Sequence, residues 1–341
     1  MTASAPEGSR LVRGAVVGTV VGLLVYAGLV LWADLDSVQH ALAELQLRTV
    51  VEAAALVLAG YGLRFARWEL YRARVARELP ALAGLSRLRS GLVFLSGLAL
   101  TVSPGKLGEA FKSVLLKDEV AAPVARTAPM VLAERLTDLL ALLLLIGLAN
   151  ASAASEHAWI LPLALGLCAT ALLLLSSPRA AELGIRTLGR LGPLARMQPK
   201  VEQALSSARV LLALGPLAAA VLLSTGAWAL ECVAAWRIAS GLGLPAPALA
   251  PIVAAFSLSL VAGAIALFTP GGLGVTEGLL TEQLRRRFVE GGAAVDAARA
   301  GAASATLLTR LMTLWFAVAL GLGALALHRR GVGSSGRKAV A

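Results

Sequence analysis

Apolar residues along this chain come in blocks rather than in alternation. Predominantly apolar runs fall at about residues 14–33, 49–71, 91–103, 125–149, 158–176, 210–236, 248–268 and 303–327, with polar stretches between them. At a rise of about 1.5 Å per residue, a helix of roughly twenty residues just crosses a hydrocarbon layer of about 30 Å. The pattern predicts an all-α polytopic membrane protein with about eight hydrophobic segments. Composition agrees: 58% of residues are hydrophobic and 15% charged, against about 25% charged in soluble domains. A nucleic-acid-binding protein would be far more polar, so the formal net charge of +11 calls for another explanation.

The charge lies mainly in the connectors, where it sets orientation. Residues 64–90 carry seven arginines, and 178–209 carry five together with Lys200; 34–48 is net acidic and 150–157 holds only Glu156. The positive-inside rule then puts 72–90 and 178–209 in the cytoplasm of a bacterial inner membrane, with 34–48 and 150–157 outside. Arg10 and Arg13 precede the first run and Asp34 and Asp36 follow it. Its core exceeds the usual signal-peptide length of about 7–15 residues, so it reads as a retained span with a cytoplasmic N-terminus. Parity then demands that one segment fail to cross. The uncharged stretch Ser90–Gly105 is short and ends in Ser103-Pro104-Gly105, a helix breaker. Residues 91–116 therefore read as a re-entrant hairpin, tolerated at membrane depth only where protein or a wet cavity covers it.

The second half of the chain repeats the first. Pro104-Gly-Lys-Leu-Gly-Glu109 resembles Pro270-Gly-Gly-Leu-Gly274, with Glu277 three residues on. Arg135-Leu-Thr-Asp-Leu139 resembles Arg310-Leu-Met-Thr-Leu314, and Arg64–Trp68 more weakly resembles Glu231–Trp236. Residues 49–149 and 210–327 thus read as two copies of span, broken Pro-Gly hairpin and span. One begins outside and the other inside, the inverted-repeat form found in transporters. Loop charges nearly tie for the second hairpin, and the repeat settles the reading: 248–284 enters from outside and the C-terminus is cytoplasmic. Residues 1–330 form one integral membrane domain, followed by a disordered cytoplasmic tail at 331–341.

Charged groups inside apolar segments are costly, about 2.5–3.5 kcal/mol each at a helix centre on insertion scales, and usually face a bundle interior or a wet cavity. Here they are Glu52, Arg64, Arg67, Glu134, Arg135, Asp138, Glu231 and Arg310. Spacings of three and four put Glu134, Arg135 and Asp138 on one helix face, as an ion-paired helix lock or as a working site. Arg135 and Arg310 hold equivalent repeat positions, which favours function. Arg64 and Arg67 lie among Tyr61, Trp68 and Tyr71; Arg67 fits an interfacial snorkelling belt equally well, whereas the deeper Arg64 suits a lipid phosphate. In the hairpins, Pro104, Gly105, Gly108, Pro270, Gly271, Gly272 and Gly274 allow the turn. The helix leaving each turn would offer free N–H groups to an anion, reinforced by Lys106 and Lys112 in the first copy. Glu109 and Glu277 would cap those groups, pair with arginines, or take an amine or a proton. Cys168, Cys232 and the three histidines show no metal-ligand spacing, and no cofactor is expected.

At Pro104–Leu116, Glu134–Asp138 and Pro270–Glu277 the chain resembles the lysylphosphatidylglycerol synthase transmembrane (flippase) family, which includes the membrane half of the bacterial multiple peptide resistance factor. The resemblance covers about residues 15–330. It implies an inner-membrane protein that binds or flips lipids, with membrane lipids and envelope-lipid biosynthesis enzymes as partners. Only a short Gly/Ser/Arg tail follows residue 330, with no soluble aminoacyltransferase domain, so lysyl transfer is not expected. The reading is a lipid flippase or lipid-binding transporter holding an anionic or lipid-linked headgroup between the repeats. Its rivals are an intramembrane lipid-modifying transferase using Glu134 and Asp138, and an accessory subunit of an envelope-lipid complex.

Overall fold

A computed structural model of the chain describes residues 24, 26–28, 31, 35–102, 107–150, 162, 166, 170, 198–266, 269 and 272–338. Among them are eleven α-helices and no strand. They are α1 Leu35–Ala43, α2 Leu47–Val75, α3 Arg87–Leu98, α4 Phe111–Val120, α5 Val124–Asn150, α6 Gln198–Leu211, α7 Leu214–Ser240, α8 Leu249–Ile265, α9 Val275–Glu290, α10 Val295–Arg310 and α11 Phe316–Lys338. A π turn at Leu311–Trp315 joins α10 to α11. The apolar segment expected at 158–176 and most of that at 14–33 lie outside the described residues. Helix α11 runs to Lys338, so the tail expected to be disordered from residue 331 is helical to that point. No proline interrupts 316–338, and extending an existing helix fixes only one residue per added hydrogen bond.

Among the described residues, three helical stretches are long and apolar enough to cross a membrane by length and composition: Leu47–Val75, Leu214–Ser240 and Val295–His328. Helix α5, with 27 residues, matches them in length but carries Glu134, Arg135 and Asp138 in mid-helix. Leu58, Leu148, Leu222 and Leu322 stand exposed on the outside, as suits a hydrocarbon surround. Trp68, Tyr71, Met130, Phe256 and Phe288 fill the interior.

Among the described helices, α2 and α7 pack together most extensively, and they run antiparallel. Going along α2, Glu52 meets Arg237, Gly60 meets Ala227, Leu63 meets Gly226, and Arg67 meets Ser224. A Cβ on Gly60 would lie 3.2 Å from the Ala227 carbonyl oxygen; bare glycines let the two helices cross closely. The first helices of the two repeats are therefore inverted relative to each other.

Each is followed by a hairpin. Arg89 pairs with Glu119 while Gly97 abuts Lys112, so α4 runs back along α3. Gln283 bonds the Ala255 carbonyl while Gly263 abuts Thr276, so α9 runs back along α8. With 12 residues in α3 and 10 in α4, neither arm of the first hairpin exceeds about 18 Å, well short of a span. Because α2 and α7 are antiparallel, the hairpins that follow them enter from opposite faces. The glycine demand is clear at the second turn: Gly272 and Gly274 have φ of 75° and 88°, and a Cβ on Gly272 would sit 2.9 Å from the Gly263 carbonyl oxygen.

The first arms of the hairpins are exchanged between repeats, while α4 and α9 stay on α5 and α10 of their own repeat. Helix α3 packs most closely on α11, and α8 packs on α5. A Cβ on Gly321 would lie 2.1 Å from the Ala99 backbone nitrogen, so α11 and the tip of α3 meet backbone to backbone. His328 lies 3.5 Å from Glu119, which places the end of α11 at the face where the first hairpin begins and ends.

Candidate functional site

The crossing of α2 and α7, the two hairpin tips, the mid-helix charges of α5 and the arginine that ends α10 surround a cavity that opens partly to the outside. Arg64, Glu109, Arg135, Asp138, Glu231 and Arg310 line it, with Tyr61, Trp228 and Thr276. The same ion pair occurs in both repeats. Arg135 Nη2 donates to Glu109 Oε2 at 2.8 Å, and Arg310 Nε donates to Glu277 Oε1 at 2.5 Å. In each case the hairpin's glutamate holds the arginine of the repeat's last span. Between them Arg64 of α2 pairs with Glu231 of α7, which occupy matching positions in the two copies. The Arg64 guanidinium lies 4.3 Å from the Trp228 ring centroid and 5.6 Å from that of Tyr61, close enough for cation–π attraction.

Behind the lining lies a second set of ion pairs. Arg67 is 1% exposed. It donates to Asp138 Oδ1 at 2.5 Å and Thr137 Oγ1 at 3.1 Å, and also reaches Ser224. The interfacial belt considered for Arg67 is thus overturned: an inward face of α2 carries it to a carboxylate that would otherwise be buried alone. Trp228 Nε1 donates to the same Asp138 oxygen at 3.1 Å, and Arg135 lies 3.2 Å from the other. Lys112 pairs with Glu134 and stands 3.9 Å from Glu109, its ammonium 5.2 Å from the Trp68 ring centroid. Among the described residues, five cations and five carboxylates therefore share the centre. Glu134 and Asp138 are committed to Lys112 and Arg67 rather than standing free as a base.

Three arginines of the cavity lining remain incompletely satisfied, as does Arg67 behind them through its Nε. Arg64 Nη2, Arg135 Nε and Arg310 Nη2 are buried without a hydrogen-bond partner. Leaving a buried polar group unpaired costs about 1–3 kcal/mol, more when charged. Three such donors around one cavity make a site that an oxyanion would complete.

The anion site expected at the hairpin helix N-termini needs correction in the second copy. Glu277 Oε2 accepts from the Gly274 backbone N–H at 2.7 Å, so the N-terminus of α9 is capped by the chain's own carboxylate, and it is the arginines that hold spare donors. Gly272 and Gly274 form that turn, and Gly108 lies in the 3-10 turn Leu107–Ala110. Pro104, Gly105, Lys106, Pro270 and Gly271 lie outside the described residues. Tyr61, Trp228 and Thr276 escaped the charge-based reading, although Tyr61 and Trp228 each sit three residues before a lining charge on their helices. Tyr61 also donates to the Thr313 carbonyl in the π turn at 2.7 Å, tying α2 to the junction beside Arg310.

A family model described as the lysylphosphatidylglycerol synthase TM region matches residues 19–321. No curated protein matches the chain.

Proposed function

We propose that this chain, which belongs to the lysylphosphatidylglycerol synthase TM region family, takes a phosphate-bearing lipid headgroup into the cavity between its repeats and moves it between leaflets. The observation that carries this reading is the set of buried, unbonded N–H groups on Arg64, Arg135 and Arg310 around a single cavity. A guanidinium's planar fork matches phosphate oxygens, and a phosphate here would satisfy donors drawn from both repeats.

Charge balance suggests how such a headgroup is accepted. Among the described residues the central cations and carboxylates are equal in number, so an arriving phosphate would compete with a carboxylate for an arginine. Arg135 is the candidate for first exchange, because its side chain is 34% exposed while that of Arg310 is 4% exposed. Transfer from Arg135 toward Arg310 would carry the headgroup from the partner of the first hairpin to that of the second. Since the hairpins enter from opposite faces and their tips meet at this cavity, that step would link the half-path from one side of the membrane to the half-path from the other. Broken segments of inverted repeats meeting near the midplane are the setting in which alternating access operates.

The positive-inside reading places the 76–86 loop in the cytoplasm of the inner membrane. The His328–Glu119 contact then supports a cytoplasmic end for α11. For activity, the test is purified protein in liposomes containing a fluorescent phospholipid, with a membrane-impermeant reductant added outside. The protein is expected to expose inner-leaflet probe to bleaching beyond the protein-free level. Bleaching that stops at the outer-leaflet fraction would refute translocation.

A further inference from the structure

A second cavity lies beside the first, on the flank of the molecule between α2 and α3. It is an open groove walled mainly by Gly62, Phe65, Gly91, Leu92 and Leu95, with Arg87 at its outer end. Both glycines help keep it open. A Cβ on Gly62 would meet nothing within 4 Å, and one on Gly91 would only reach the Phe65 ring at 3.7 Å. Tyr61 stands in the walls of both this groove and the central cavity.

At the matching place in the second repeat the two helices meet. By the repeat offset, Phe65 corresponds to Cys232 and Gly91 to Ser257, and there the two side chains touch, Sγ to Oγ at 3.6 Å. Helices α7 and α8 accordingly pack together more extensively than α2 and α3. Both pairs are pinned by a tryptophan, Trp68 to Ser90 and Trp236 to the Pro247 carbonyl. The difference is thus a local opening within a shared arrangement. An apolar slot facing the membrane, with one cation at the headgroup end and an aromatic wall shared with a polar cavity at the other, matches the chemistry of a single lipid.

We propose that the α2–α3 groove receives one acyl chain of a phospholipid from the leaflet on the side of the 76–86 loop, with Arg87 at its phosphate. This is a lateral loading position on the first repeat. It deepens the headgroup reading of the central cavity and rests on it for its purpose, but its test is separate. Arg87 is exposed at the start of α3, where it meets headgroups. Leu88 and Leu92 carry the apolar surface inward along one face of the same helix, and Tyr61 is the partition a headgroup would pass.

The test uses vesicles of phosphatidylethanolamine and phosphatidylglycerol containing a trace of phosphatidylglycerol with a diazirine midway along one acyl chain. After irradiation, crosslinks are mapped by mass spectrometry. Labelling is expected to be several-fold higher across 87–95 than around Leu222, which is 74% exposed on the outer face of α7 and reports bulk lipid. Gly62→Leu fills open space and is expected to bring 87–95 down to the Leu222 level; Gly91→Leu does so from the other wall. Equal labelling of the two regions in the wild-type protein would overturn the proposal, as would enrichment unchanged by Gly62→Leu. Absence of translocation in liposomes with this enrichment intact would refute the headgroup reading and leave the groove standing.

Discussion

Arg67 and Arg310 are both arginines with almost no exposed surface, yet they do different work. Arg67 donates to Asp138, Thr137 and Ser224, and its one unbonded N–H, on Nε, lies outside the cavity lining that Arg310 joins. Removing Arg67 leaves Asp138 with part of its compensation gone, and breaking a buried pair costs about 3–5 kcal/mol. Arg67→Ala is therefore expected to lower the thermal unfolding midpoint sharply. Arg48→Ala, which removes an exposed partner of Glu52, should change stability by less than about 1 kcal/mol. A similar midpoint for both variants would contradict the structural role given to Arg67. Charges inside apolar runs marked both classes of arginine in the sequence. Their division did not show there, because the partners lie 71 residues away for Arg67–Asp138 and 167 for Arg64–Glu231, and only the helix crossing brings them together.

Among the elements, the first hairpin depends on contacts with the other repeat. Arms of 12 and 10 residues cannot cross the membrane alone, and α3 gains its main support from α11. Gly321 permits that support by letting α11 touch the backbone at Ala99. Gly321→Leu is expected to push α11 from the hairpin tip and make proteolysis within 87–120 markedly faster. Gly323→Leu, at a position with open space around it, should leave the rate unchanged. Equal rates for both variants would show that α3 is not held there. The Pro-Gly pattern made both hairpins visible in the sequence. What it could not convey was that the first arm of each packs on the other repeat's last span, or that Glu277 closes the α9 N-terminus, since both depend on how the helices dock.

At the scale of the whole molecule, inversion follows from the antiparallel crossing of α2 and α7, and it fixes the relation between distant surface residues. In a variant without Cys168 and Cys232, a cysteine at Asp118 and one at Glu290 are expected to react with an impermeant maleimide from opposite sides of the membrane. Labelling of both from one side would contradict the inverted arrangement. This inversion was legible from three matched motifs and loop charge. The open groove on one flank was not, because it arises where the copies differ at Gly91 and Ser257. The central claim is that the cavity arginines carry the headgroup on donors that the protein leaves unbonded. Arg310→Lys keeps a positive charge beside Glu277, and with it the fold, but removes the spare guanidinium N–H. In the liposome bleaching assay it is expected to slow translocation by roughly tenfold or more, the equivalent of one charged hydrogen bond, with an unchanged unfolding midpoint. A wild-type rate in folded Arg310→Lys protein would contradict the claim.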